Sequence, residues 1–132
     1  QQYDFGLLVA RKNKIGEEND SGTRYPVLEV RLQRLGTEAQ SLKGKQLVEY
    51  FKEALWYTGY YQYFWEDVLS VKIGGKTFHG IKARLNTHND LKVYQKYYIR
   101  VIGIDALSFI ISYVSDEDEW ALNSLLKTVS FD

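Results

Sequence analysis

The chain has no cysteine, no methionine, one proline, two histidines and no net charge, with 17 Lys plus Arg against 17 Asp plus Glu in 132 residues. Without cysteine there can be no disulfide framework, thiolate nucleophile or cysteine-ligated zinc site. Without excess positive charge the chain lacks the electrostatic footprint on which non-specific nucleic-acid binding depends, so nucleic acid is not an expected partner. The short cluster Arg11-Lys12-Asn13-Lys14 reads as a solvated strand end, because only a broad basic face predicts phosphate binding. No apolar run approaches the roughly 18 residues of a membrane-spanning helix. The chain opens on Gln1-Gln2-Tyr3, as expected of a mature or trimmed product. Any signal peptide or lipid anchor would lie upstream of it.

Aromatic side chains, by contrast, are plentiful: 11 Tyr, 6 Phe and 3 Trp. With an ordinary apolar fraction this composition excludes disorder, and the length suits one domain over residues 1–132. The run Phe5 to Ala10 starts a strand with Phe5, Leu7 and Val9 on one face. A polar, glycine-punctuated loop follows to Tyr25. After Pro26 a clean alternation sets Leu28, Val30 and Leu32 against Glu29, Arg31 and Gln33, the pattern of a half-buried strand that would pair with the first as a hairpin. Leu47, Tyr50, Phe51, Ala54, Leu55 and Thr58 then recur at helical spacing, predicting a helix over about 42–58 with Ser41 as N-cap and Gly59 as stop.

Beyond an aromatic stretch, two runs flank Gly74-Gly75, a hairpin signal because a two-residue primed turn needs positive φ. The next strand alternates Val93, Gln95, Tyr97, Ile99 and Val101 against Tyr94, Lys96, Tyr98, Arg100 and Ile102. A tight connection at Gly103 leads to a strand with Leu107, Phe109, Ile111 and Tyr113 on one face and two serines on the other. Ser115 or Asp116 caps a closing helix whose first-turn acids, Asp116 to Glu119, suit the positive end of the helix dipole. Its buried stripe is expected to be Ala121, Leu122, Leu125 and Leu126. The order ββαββββα predicts an α+β fold: a single antiparallel sheet with two amphipathic helices laid on it.

Val71 to Gly80, with its strand–glycine–strand entry, the run Tyr94-Gln95-Lys96-Tyr97-Tyr98, and the closing strand, acidic helix and Val129-Ser130-Phe131 ending together resemble the Mog1/PsbP-like group of small α+β domains, including its secreted bacterial lipoprotein branch. The likeness covers about 45–131. It implies binding or assembly on other proteins, often outside the cytoplasm, and supplies no catalytic motif. The alternative architecture is a cystatin-like or nuclear-transport-factor-like curved sheet around a ligand pocket.

The run from Trp56 to Trp65 places seven aromatic side chains in ten positions. Such rings can pack onto the sheet, or they can form a platform for a partner, since Tyr and Trp offer wide, stiff, amphipathic contact area. The candidate partner-binding residues are Trp56, Tyr57, Tyr60, Tyr61, Tyr63 and Trp65, with Tyr60, Tyr61 and Tyr63 expected to be partly exposed. Tyr94 and Tyr98 join them if no helix covers their strand face; if one does, they are packing and the Lys and Arg stems snorkel to the rim. His79 is a sheet-face histidine and His88 a turn residue, without the spacing of a metal site on one element. The acids at 116–119 fit a helix cap better than a calcium loop, and Glu17 to Gly22 comes nearer to a calcium loop in composition but matches no calcium-loop spacing. No Gly-x-Ser-x-Gly elbow and no phosphate loop occurs. The sequence therefore predicts a non-catalytic module with no cofactor and no metal, engaging a protein or a cell-envelope polymer, and the resemblance implies a place outside the cytoplasm. The alternative is a small-ligand carrier or pocket enzyme.

Overall fold

The elements run β1 (Asp4–Arg11), β2 (Val27–Arg34), α1 (Lys45–Trp56), β3 (Tyr61–Phe64), β4 (Leu69–Ile73), β5 (Lys76–Leu85), β6 (Tyr94–Ile102), β7 (Asp105–Tyr113) and α2 (Asp116–Leu126). The computed structural model describes residues 25–87 and 90–131 together with the backbone of β1. The basic cluster beyond Arg11, the acidic stretch 17–22 and His88 lie outside the described residues. Every strand pairing is antiparallel, and the sheet order is β1-β2-β7-β6-β5-β3, with β4 also pairing with β5. β4 takes the first half of that edge of β5 and β3 the second, Leu69 facing Gly80 and Phe64 facing Ala83. The expected α+β architecture with two helices on one antiparallel sheet is what forms.

The helices lie on opposite faces. On one face Leu28, Phe78, Tyr98, Phe109 and Ile111 pack under Leu122 and Leu126 of α2. On the other, Ile81, Tyr97, Ile99 and Ile110 pack under Leu47, Val48 and Phe51 of α1. β7 is therefore buried on both sides, which explains its nearly unbroken apolar run and the burial of Ser108 and Ser112. The strand phases expected for β2, β6 and β7 match these two layers. The Gly74-Gly75 turn takes φ of 60° and 79° and closes the Ile73–Lys76 pair, as a primed turn requires. At Gly80 a Cβ would strike the Tyr97 carbonyl and sit 2.9 Å from the Tyr98 ring, so the glycine makes room for that ring on the α2 face.

Three local expectations are corrected. The aromatic stretch is not only a connection, because it contains the four-residue edge strand β3. α1 starts at Lys45 with Gly44 at its N-cap and no side-chain cap, so Ser41 does not cap it. In α2 Leu125 is exposed, and the buried stripe is Asp118, Leu122 and Leu126 at four-residue spacing. Ser115 is the α2 cap, its hydroxyl accepting from the Asp118 amide at 3.2 Å.

Candidate functional site

The end of α1 sets the first aromatics. The Thr58 hydroxyl donates to the Leu55 carbonyl at 2.6 Å, and Gly59 then turns the chain with φ of 79°. Asn86 clamps the turn from β5: its amide nitrogen donates to the carbonyls of Gly59 and Tyr61, both at 3.2 Å, and its backbone N–H donates to the Tyr60 carbonyl at 2.8 Å. Backbone held on both sides of Tyr60 leaves that ring projecting outward. Tyr57 and Tyr60 are 79% and 71% exposed, and Trp56 and Tyr63 are exposed beside them.

A register shift between Tyr61 and Tyr63 divides the run. A bulge turns successive side chains away from strict alternation. Tyr61 and Phe64 stack at 5.0 Å between centroids, and Trp56 lies 6.3 Å from Phe64. Tyr61 is only 8% exposed; its hydroxyl donates to Gln95 Oε1, and Gln95 Nε2 donates to the Ser112 hydroxyl at 3.1 Å. Burial first, and then neighbouring Tyr97, pushes the Tyr61 phenol far above its ordinary pKa. Tyr61 is thus a structural residue, correcting the expectation that it would be partly exposed.

Tyr63 and Trp65 form a second line, at 4.7 Å from each other, that continues through Tyr94 at 6.0 Å from Trp65 and on to Tyr113 at 5.9 Å from Tyr94. Lys82 Nζ sits 4.6 Å from the Trp65 ring and 5.5 Å from the Tyr94 ring. Lys82 faces Lys96 across the β5–β6 ladder, a like-charge pair that would be destabilising alone. The arrangement separates the two burdens: ring faces hold Lys82, while the Lys96 ammonium meets the Glu119 carboxylate at 2.7 Å. The Tyr113 hydroxyl is buried near Glu119 without a hydrogen bond of good geometry among the described residues. Burial raises its pKa, with the Glu119 charge adding to the effect.

α2 packs over the face of Tyr94, Lys96 and Tyr98. Tyr98 is 4% exposed, and burial, with Glu119 next, raises its pKa to about 12. The structure therefore leaves Trp56, Tyr57 and Tyr60 exposed around the end of α1 and Tyr63 exposed beside Trp65, places Trp65 and Tyr94 half-buried with Lys82, and buries Tyr61 and Tyr98. Lys82 and Asn86 organise this edge and were not singled out from the sequence. The visible signal for Lys82 was its strand phase, shared across the ladder with Lys96. His79 is half-buried on β5 and lines a cleft of about 320 Å³ with Lys43 and Gln40. Among the described residues no three His, Asp or Glu converge as a metal-holding group.

No family profile matches the sequence, and no curated protein matches it. Among solved structures it is similar to cyanobacterial PsbP (CyanoP) from Synechocystis, at 10% identity and a TM-score of 0.53, covering 97% of this chain and 88% of that one. The chain has a PsbP-like fold, over a longer span than the sequence resemblance covered.

Proposed function

We propose that the chain is a non-catalytic binding and assembly module, acting outside the cytoplasm, that engages a protein or a cell-envelope polymer through Trp56, Tyr57, Tyr60 and Tyr63. One observation carries this: four large aromatic side chains are exposed along one short stretch of chain whose turn is clamped by Asn86. Leaving such rings in water forgoes their burial free energy, and rigid aromatics are the side chains that contribute most when a partner covers them. Location outside the cytoplasm, and tethering through an upstream lipid, rest on the PsbP-like fold and its secreted branch. Among the described residues no helix is long and apolar enough to cross a membrane.

Two features favour binding over catalysis. Among the described residues each group with a shifted pKa moves away from neutrality, with the phenols of Tyr61, Tyr98 and Tyr113 going up and the Glu119 carboxyl going down. Proton transfer near pH 7 needs the opposite. Among the described residues, clefts of about 320, 340 and 500 Å³ lie between the helices and the sheet margins, while Phe78, Ile81 and Ile111 fill the layers between.

The test is a photo-crosslinking amino acid placed at position 57 or 60 in the full-length protein in its own cells. Discrete adducts are expected from both positions and not from exposed Glu38. Equal labelling from all three positions, or none from 57 and 60, would sink the reading.

A further inference from the structure

A cleft of about 500 Å³ opens between β4 and α2, on the sheet face opposite α1. Its size is within the range of small-ligand sites. From α2, Trp120, Asn123, Ser124 and Lys127 line it, and their three- and four-residue spacing puts them on one stripe of the helix. Leu126, which anchors α2 together with Leu122, forms part of the same lining. Trp120 is 73% exposed and has no ring contact among the described residues, so its indole contributes little to packing. Lys96 and Lys72 complete the basic lining, and no Asp or Glu lines the cleft. Of the three lysines, Lys96 has Glu119 as its partner, whereas Lys72 and Lys127 make no ion pair within 4.0 Å among the described residues. The cleft is thus locally positive in a chain without net charge.

We propose that this cleft binds an acidic saccharide, a sugar carrying a carboxylate such as a uronate. The exposed indole offers a flat apolar face for the C–H side of a pyranose ring. The Asn123 amide and Ser124 hydroxyl can each donate and accept, as vicinal sugar hydroxyls do. The lysines supply the counter-charge for the carboxylate. A neutral sugar would leave that charge unused. A nucleotide would also stack on Trp120 and bring its ribose hydroxyls to Asn123 and Ser124, so its binding is the outcome that competes with the saccharide in the test. This site lies on the α2 face, apart from the Tyr57–Tyr60 edge, and does not depend on the function proposed for that edge.

The test is a glycan array of acidic and neutral oligosaccharides, probed with the labelled protein and confirmed by titration with trigalacturonate and with UMP. Acidic glycans are expected to be retained and neutral ones not. Trp120→Ala should abolish retention, and Lys127→Gln should weaken trigalacturonate binding about tenfold and reduce its salt dependence. Both positions are exposed, and an unchanged melting temperature will show that the variants are folded. Trp120→Ala in the protein carrying the crosslinker at position 57 should lose trigalacturonate binding while keeping the adducts described above, which separates failure of one site from failure of the other. The proposal is overturned if no acidic glycan is retained, if Trp120→Ala makes no difference, or if UMP binds at Trp120 as tightly as trigalacturonate.

Discussion

Glu119 joins α2 to the middle of the sheet through one carboxylate. Its burial alone would raise its pKa, but the Lys96 hydrogen bond, Tyr113 and the charges of Lys96 and Lys82 together lower it. A carboxyl whose pKa is depressed on folding stabilises the fold above its unfolded value of about 4.3, and that contribution is lost as pH falls through the folded value. Thermal melts between pH 7 and pH 3 should therefore show a descending acid limb. Glu119→Gln should lower the melting temperature at pH 7 and flatten this limb, since the glutamine has no charge to lose. A variant curve parallel to the wild type would show that Lys96–Glu119 makes no pH-dependent contribution. Lys82 lies opposite Lys96 across the ladder, and it is this register that gives each lysine the need for a partner of its own.

For the elements, the contrast between the two helix starts is testable. Ser115 caps α2 with a real hydrogen bond, whereas Ser41 stands outside α1. Ser115→Ala should cost about 1 kcal/mol and Ser41→Ala less than about 0.5 kcal/mol, both read from urea unfolding midpoints. Equal costs would refute the assignment of Gly44 as the α1 cap. Alternation exposed β2, β6 and β7 well, because one-residue phase errors there would move apolar side chains into water. β3 escaped notice because it is four residues long and bulged, so Tyr61 and Tyr63 do not keep a period of two. The exposed edge was legible as a dense aromatic run, but burial of Tyr61 depended on Gln95 and Ser112, which lie far along the chain. The α2 stripe was misjudged at Leu125 because Asp118, a polar residue, occupies the buried position that an apolar one usually fills.

Across the whole molecule, the tyrosines buried at 61, 98 and 113 share one behaviour. Each has its phenol pKa raised by burial, to about 12 for Tyr98. The sign is that of a group whose folded pKa lies above its unfolded value of about 10: the stability it contributes is complete below that value and is lost as pH rises through the folded one. An alkaline titration should show part of the phenolate absorbance appearing together with the loss of tertiary circular dichroism above about pH 10, while Tyr98→Phe should move that unfolding to higher pH. Phenolate absorbance that is complete before any loss of structure would contradict the burial of these three rings.

The sheet joins its ends late. Val27 lies opposite Ser112 and Arg34 opposite Asp105, so the first hairpin attaches to a strand far along the chain from it. β5, β6 and β7 can zip together from neighbouring turns, whereas β2 must wait, with its β7-facing edge unsatisfied, until that meander exists. Such long-range pairing slows folding and leaves an unpaired edge exposed to neighbouring nascent chains in the interval.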